Sequence, residues 1–454
     1  MATYISRTLG TPTDNKKWTF SAWVKVTDQS ESDRGLFNVG GNASGYTRLN
    51  FAGSHQLEYD NKISPSAWDG RRFATARRRD PAAWYHIVAV FDSDNGTPAD
   101  RMITYFNGER ISAYDSDLDP SSGAVSGNTS GETVRIGVVE TSAYFNGNMS
   151  WVQFVDGLAL APTEFGETDA TSGMWKIKTD VYGTPGNNGF CLKMEDRTNL
   201  DLDSSSNAHT FTTTGTPTAT YDNPSNNFCT MNPLDNYWLQ GTFTNGNTTV
   251  ETSSAEYGYA TGTLAAAGGK WYWEMKLEQE VTATNYISMG IAGRPTDSAD
   301  GLGYESDAIA YQAYDGKIRD SGTLTTYGNT WGVGDIIGVA MDLDNSKLYF
   351  SINGVWQDSG DPTSGATGTG AHSMSTAVAN TLLGAYYPAF GDHGGSGYTT
   401  GIGNFNFGNG YFKTTAVTEP ADADDAGIGA MEYDVPAGYY CLCTRNIKAY
   451  GGAA

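Results

Sequence analysis

KLYFSINGVW, residues 347–356, reads as a β-hairpin. Leu348 and Phe350 alternate with Tyr349 and Ser351, the period of two that suits a strand. Asn353-Gly354 is the dipeptide favoured by a two-residue type I′ turn, whose central residues both need positive φ. The same phrase stands earlier as MITYFNGER, residues 102–110, with Asn107-Gly108 at its turn. Two such phrases, about 250 residues apart, predict two β domains that each use the hairpin as a local device.

The totals agree with that reading. A chain of 454 residues holds 56 Gly and 27 Tyr, a composition suited to short strands and many turns. At ~150 residues per domain there is room for two or three. The formal net charge of −23 repels nucleic acid and anionic membranes at long range and aids solubility, so no nucleic-acid partner is expected. No run reaches the ~18 consecutive apolar residues of a membrane span, so no membrane insertion is expected. The opening MATYISRTLGTPTDNKKW has no signal-peptide core, and export is not expected. Cys191, Cys229, Cys441 and Cys443 are too few for a disulfide framework and read as buried free thiols.

Residues 1–165 form the first β-rich block. WTFSAWVKV (18–26) sets Trp18, Phe20 and Ala22 against Thr19, Ser21 and Trp23, and WYHIVAVFD (84–92) reads as a central strand buried on both faces. APTEFGE (161–167) suggests one helical turn. Residues 166–232 lose the strand rhythm and read as an irregular connector partly packed on the first sandwich, with GNNGFCLKM (186–194) able to return as a strand. Residues 233–412 form the second block, in which GGKWYWEMKLEQE (268–280) places Trp271, Trp273, Met275 and Leu277 on one face. The tail, 413–454, ends in VPAGYYCLCTRNI, strand-like and too apolar to be left in water. The expected fold class is all-β: two tandem antiparallel sandwiches of jelly-roll type, with an irregular connector and a short strand-like tail.

Chemistry is sparse. A glycosidase on a single strand needs a carboxylate trio of the Glu-x-Asp-x-Glu kind; Asp342-x-Asp344 and Asp201-x-Asp203 lack the flanking Glu, and Asp344 precedes an Asn345-Ser346 turn, where Asp commonly serves its own backbone. His55, His86, His209, His372 and His393 show no zinc spacing, and no G-x-S-x-G elbow or Walker loop is present. Asp92, Asp94, Asn95 and Asp100 in FDSDNGTPADR could offer oxygen ligands to calcium, though a polar loop explains them as well. DGRRFATARRRDPAAW (69–84) concentrates five Arg and reads either as a dock for an acidic partner or as a solvated hairpin with Arg79 paired to Asp80. No catalytic, cofactor-binding or metal residue is assigned, no ligand-binding residue is singled out, and an enzyme is not expected.

Block one, through WTFSAWVKV, RDPAAWYHIVAVFD, MITYFNGER and FNGNMSWVQFVDGLALAPTEFG, resembles a laminin-G-like, concanavalin A-like lectin domain. Block two, through GKWYWE, YISMGIAG, GYESDAIAYQAYDGKI, VGDIIGVAMDLDNSKLYFSINGVW and YYPAF, resembles a SPRY domain. No binding residues carry over from these families; Tyr304 and Tyr311 are expected on core strands. The tandem, with its linkers GTPGNNGFCLKMED and DNPSNNFCTMNPLD, is similar to structural proteins of tailed marine bacteriophages. That resemblance implies a virion protein assembled in the host cytoplasm: a fibre, tail appendage or capsid decoration. Its implied partners are other virion proteins and host-surface polysaccharide. The alternative is a capsid decoration or tail scaffold that touches only other virion proteins, and a glycan-cleaving enzyme on the lectin-like fold ranks last. A homo-oligomer is expected; without a heptad run, strand edges or the apolar tail would have to join the copies.

Overall fold

The computed structural model describes residues 3–27, 32–41, 45–64, 67–253, 257–280, 286–392, 400–418 and 421–451. They divide into two compact units, Met1–Ala219 and Thr220–Ala454. Both are built almost wholly from antiparallel strands, as period-two patterning predicts.

In the first unit an eight-stranded sheet faces a six-stranded one. Lys17–Val26 lies in the smaller sheet between Gly147–Asp156 and Trp84–Asp92. It sends Trp18, Phe20, Ala22 and Val24 inward to meet Phe37, Leu49 and Phe51 of the larger sheet. Trp23 points the other way and packs with Trp151 and Cys191. Trp84–Asp92 is buried on both faces. Ile87, Ala89 and Phe91 enter the core, while Val88 and Val90 lie against Val155 and Phe165. APTEFGE gives a 3-10 turn at Pro162–Glu164. Beyond it, Phe190–Leu192 extends the smaller sheet beside Gly147–Asp156, and Thr212–Thr214 extends the larger beside Tyr4–Thr8. The segment 166–219 therefore lies in the first unit and 220–232 in the second.

In the second unit a nine-stranded sheet faces a six-stranded one. Lys270–Glu280 runs between Ile336–Asp342 and Gly401–Asn406. Trp271, Trp273, Met275 and Leu277 meet Met289, Ile291 and Tyr311 of the facing sheet. The alternate residues Tyr272 and Glu274 point to the outer side, which the tail covers: Tyr272, Ala340 and Tyr349 pack under Met431, Tyr439, Cys441 and Cys443. The tail is not a strand along its apolar length, contrary to expectation. Tyr440–Cys441 pairs in parallel with Trp271 and Tyr272, and the chain then turns into the helix Thr444–Tyr450. Asn446 fixes that turn by donating to the Cys441 carbonyl at 3.0 Å and to Asp424 at 2.6 Å. All four cysteines are buried and unbridged.

The two Asn-Gly phrases do the same work in each unit. Asn107 and Gly108 have φ of 48° and 82°, and Asn353 and Gly354 have 50° and 77°, the left-handed pair a type I′ turn requires. Each Asn also extends the sheet by one rung. The Asn107 N–H donates to the His86 carbonyl and its Oδ1 accepts the His86 N–H, both at 2.8 Å. Asn353 repeats both bonds with Ile336, at 2.8 and 2.9 Å. Each Gly lies beneath an aromatic ring: a Cβ on Gly108 would come within 2.6 Å of Trp175, and one on Gly354 within 2.7 Å of Tyr433. The phrase recurs because it closes a hairpin, adds a rung and leaves room for a covering ring.

Two buried carboxyls give stability a pH slope. Burial pushes Glu274 and Asp392 up to about 7 from ordinary values of 4.5 and 3.8. A carboxyl raised in the folded state holds its proton more tightly there than in the unfolded chain, so stability falls as pH rises between the two values. The penalty is absent below about pH 4 and complete above about pH 7. The expected result is a higher Tm at pH 5.5 than at pH 8 in low-salt buffer; a Tm that rises over this range would contradict it.

Candidate functional site

The outward face of the larger sheet in the first unit gathers charge and aromatic surface. Its strands include Arg34–Gly41, Gly45–Phe51, Gln56–Ser64 and Ala67–Arg77. Residues directly opposite one another on paired strands share a face. The register therefore puts Ser6, Arg135, Asn38, Arg48, Asp60 and Arg71 in one row across six strands. Their neighbours Phe37, Leu49 and Tyr59 point into the core. Beside this row lie Tyr46, Lys62 and Trp68 on one flank and Asn50, Glu58 and Phe73 on the other.

The centre is an ion cluster of two carboxylates and two guanidiniums. Arg48 reaches Asp60 at 2.8 Å and Glu58 at 3.3 Å; Arg71 reaches Glu58 at 2.5 Å and Asp60 at 3.6 Å. Burial first, and the charge of Glu58 second, raise the Asp60 carboxyl above its ordinary range, while Arg48 opposes the shift. Aromatic rings sandwich the cations. Lys62 Nζ sits 3.9 Å from the Trp68 ring centroid, and the Arg71 guanidinium lies 4.6 Å from Trp68 and 5.5 Å from Phe73. Asp60, Glu58 and Asn50 are buried, whereas Lys62, Trp68, Arg71 and Phe73 are half-buried. A fixed charged floor thus holds the indole and guanidinium above it in set positions, which lowers the ordering cost of binding.

Glu58-Tyr59-Asp60 is the carboxylate pair that sequence reading missed. The signal was there: two acids at i and i+2, separated by the inward Tyr59. A Glu-x-Asp-x-Glu trio would need a third acid at 62, where Lys62 stands. Both acids are clamped by arginine, so neither is positioned as one of a facing pair across a glycosidic bond.

The sequence-derived candidates are scattered. Asp92 pairs with Lys17 at 3.3 Å, Asp94 with Lys16 at 3.6 Å and Asp100 with Arg110 at 2.7 Å, while Asn95 accepts the Thr97 N–H. Asp203 accepts N–H groups of Cys191, Ser205 and His209, Asp201 accepts from Thr213, Asp342 binds Lys270, and Asp344 accepts the Gly269 N–H. The five arginines split. Arg71 joins the ion cluster, Arg72 turns to the sheet edge and pairs with Asp117 and Asp119, and Arg78 lies 3.9 Å over Phe106. Arg79 makes no ion pair with Asp80 among the described residues; Asp80 accepts the Ala82 N–H instead.

His86 is held between Ser21 and Trp175, and burial lowers it to about 3, a neutral core imidazole. His372 binds Asp320 at 2.8 Å, His55 lies beside Arg34 and His209 beside the Asn187 carbonyl. His393 lies outside the described residues. Tyr311 is on a core strand, as expected. Tyr304 is not: it is exposed in the loop before Ala308–Gln312, with Arg319 4.2 Å over its ring.

Comparison with known proteins adds two families. A profile of the concanavalin A-like lectin/glucanases superfamily matches residues 2–164, and a SPRY domain profile matches residues 270–403. The chain is 29% identical over 96 residues to Ran-binding protein 9 of Danio rerio, which is 21% of this chain and 16% of that protein. It is 28% identical over 123 residues to the E3 ubiquitin-protein ligase RKP of Arabidopsis thaliana, covering 27% of this chain and 8% of that one. The match thus spans less than a fifth of either relative. Among solved structures, the SPRY domain of human HERC1 is similar at 16% identity and a TM-score of 0.31, over 38% of this chain and 96% of that one. A SAP-like pentraxin from Limulus polyphemus gives 17% and 0.27, over 36% and 73%. The two profile matches give the chain a concanavalin A-like domain of the laminin G type followed by a SPRY domain, both of binding type.

Proposed function

We propose that this chain is a non-enzymatic structural protein of a tailed bacteriophage virion, a fibre or a tail or capsid appendage, that displays its domains for host-surface glycan or protein binding. In this reading 1–165 and 233–412 are the recognising modules and the protein is assembled into particles in the host cytoplasm. The virion setting rests on the resemblance of the tandem and its linkers to phage structural proteins. The binding role rests on one observation: the half-buried Trp68, with Lys62 and Arg71 stacked over its ring, stands above a buried ion cluster. The guanidinium and ammonium on the ring suit the hydroxyl rim of a pyranose or a carboxylate substituent, and the indole edge adds apolar contact to its C–H groups.

The test uses the purified full chain on an array of bacterial surface polysaccharides, followed by calorimetry on any hit. Specific binding that survives high salt is expected, with Trp68→Ala lowering affinity about tenfold, since losing the ring releases Lys62 and Arg71 from cation–π contacts of on the order of 1–2 kcal/mol that hold them in place. No binding to any polysaccharide, with the chain located in intact particles, would replace this reading with that of a scaffold contacting virion proteins alone.

A further inference from the structure

The second unit holds a cavity of about 300 Å³ that the glycan face does not use. Its lining includes Tyr272, Ser351, Trp356, Asp422, Tyr433 and Asp434, with Glu432 beside them. The Asn353-Gly354 turn builds one wall, because the strand leaving it carries Trp356 and the Tyr433 ring rests on Gly354. Tyr272 and Trp356 meet edge to face, with centroids 6.3 Å apart. The tail builds the other wall. Glu432 accepts the Thr418 N–H and hydroxyl, both at 2.7 Å, and the Glu432 and Tyr433 N–H groups both donate to Glu274. Asp422 and Asp434 lie beyond residue 403, where the match to the SPRY profile ends.

Two independent features show what the cavity lacks. The first is charge. Three carboxylates line it, and no lysine, arginine or histidine does. Burial and the charge of Asp434 push the Asp422 carboxyl above its ordinary value, so a cation placed here would relieve a repulsion already present. The second is Ser351. It is 1% exposed and lines the cavity, yet its Oγ has no hydrogen-bond partner. A buried hydroxyl left unmatched costs roughly 1–3 kcal/mol, a cost that a bound donor removes. A divalent metal does not suit the site, because no three acidic, histidine or cysteine side chains among the described residues converge closely enough to hold one. Aromatic rings beside carboxylates suit an organic cation instead.

We propose that this cavity binds a guanidinium or primary ammonium group. Asp422 and Asp434 balance its charge, Trp356 and Tyr433 cover its alkyl stem, and Ser351 Oγ accepts one N–H.

The full chain would be titrated with N-acetyl-arginine methylamide, N-acetyl-lysine methylamide, agmatine and the neutral isostere N-acetyl-citrulline methylamide. Binding would be followed by calorimetry and tryptophan fluorescence. Saturable binding of the cations is expected, with the citrulline probe at least tenfold weaker. Preference for the blocked amides would assign the cation to a side chain of a partner protein; preference for agmatine would assign it to a free amine. Asp434 is exposed, so Asp434→Asn should fold normally and weaken the cations about tenfold. Ser351→Ala should weaken them about threefold, and Trp356→Phe should remove the fluorescence change while calorimetric binding persists. Equal binding of citrulline and arginine probes, no binding of any cation, or unchanged affinity in Asp434→Asn would overturn the proposal. So would displacement of the cations by calcium at equal concentration.

Discussion

Glu274→Ala is expected to destabilise the second unit by about 3–5 kcal/mol, because it strands several buried donors at once. Glu274 is fully buried on the outer side of Lys270–Glu280. Its Oε1 accepts from the Tyr272 hydroxyl at 3.1 Å and the Tyr433 N–H at 2.9 Å; its Oε2 accepts from Asn406 Nδ2 at 3.2 Å and the Glu432 N–H at 2.9 Å. Two of the four donors belong to the tail, so this carboxyl clips the tail to the sheet. Removing it leaves buried donors unmatched, each costing roughly 1–3 kcal/mol. Glu274→Gln should cost less, because burial already favours the uncharged carboxyl up to about pH 7, although an amide nitrogen would face two of the four donors. The check is chemical denaturation with segment-resolved hydrogen exchange. Faster exchange at 421–451 and an earlier second-unit transition are expected. An unchanged midpoint in both variants would show that the tail docks by its apolar contacts alone.

Burial alternation was legible because it is local. Trp18, Phe20 and Ala22 in one block, and Trp271, Trp273, Met275 and Leu277 in the other, declare their inward faces within a few residues, and both runs enter the cores. The turns were equally local, since Asn107-Gly108 and Asn353-Gly354 carry their own backbone preference. What each outward residue meets was not legible, because register between strands depends on the whole sheet. Arg48, Asp60 and Arg71 become neighbours only after irregularities in the pairing of Gln56–Ser64 with Ala67–Arg77, beside Glu58, Lys62 and Ser64, set the alignment. The helix Thr444–Tyr450 was hidden for a related reason. Seven residues are too few to declare a helix by propensity, and a distant carboxylate, Asp424, anchors its first turn through Asn446. Tyr304 misled because its neighbours read as a strand that begins only at Ala308.

Asp156→Ala should have a comparable effect on the first unit, about 3–5 kcal/mol, because it too strands several buried donors at once. Asp156 ends the strand Gly147–Asp156 and is 1% exposed. Its Oδ2 accepts the Thr13 N–H at 2.7 Å and the Asn188 N–H at 3.0 Å; its Oδ1 accepts the Asp14 N–H at 3.3 Å and Asn128 Nδ2 at 2.8 Å. Asn188 relays the tie, exchanging two bonds with Gly10 and donating a third to Asn128. One carboxylate therefore joins three segments that lie more than a hundred residues apart at their extremes. Asp201→Ala is the control. That acid was an equal candidate on sequence grounds, but Asp201 is only half-buried and accepts from Thr213, so its loss should cost less than about 1 kcal/mol. Urea melts of both variants, read with exchange at residues 10–14, 128 and 188, decide the matter. Equal midpoints for the two variants would mean that the knot is held by Asn188 and the backbone, with the carboxylate incidental.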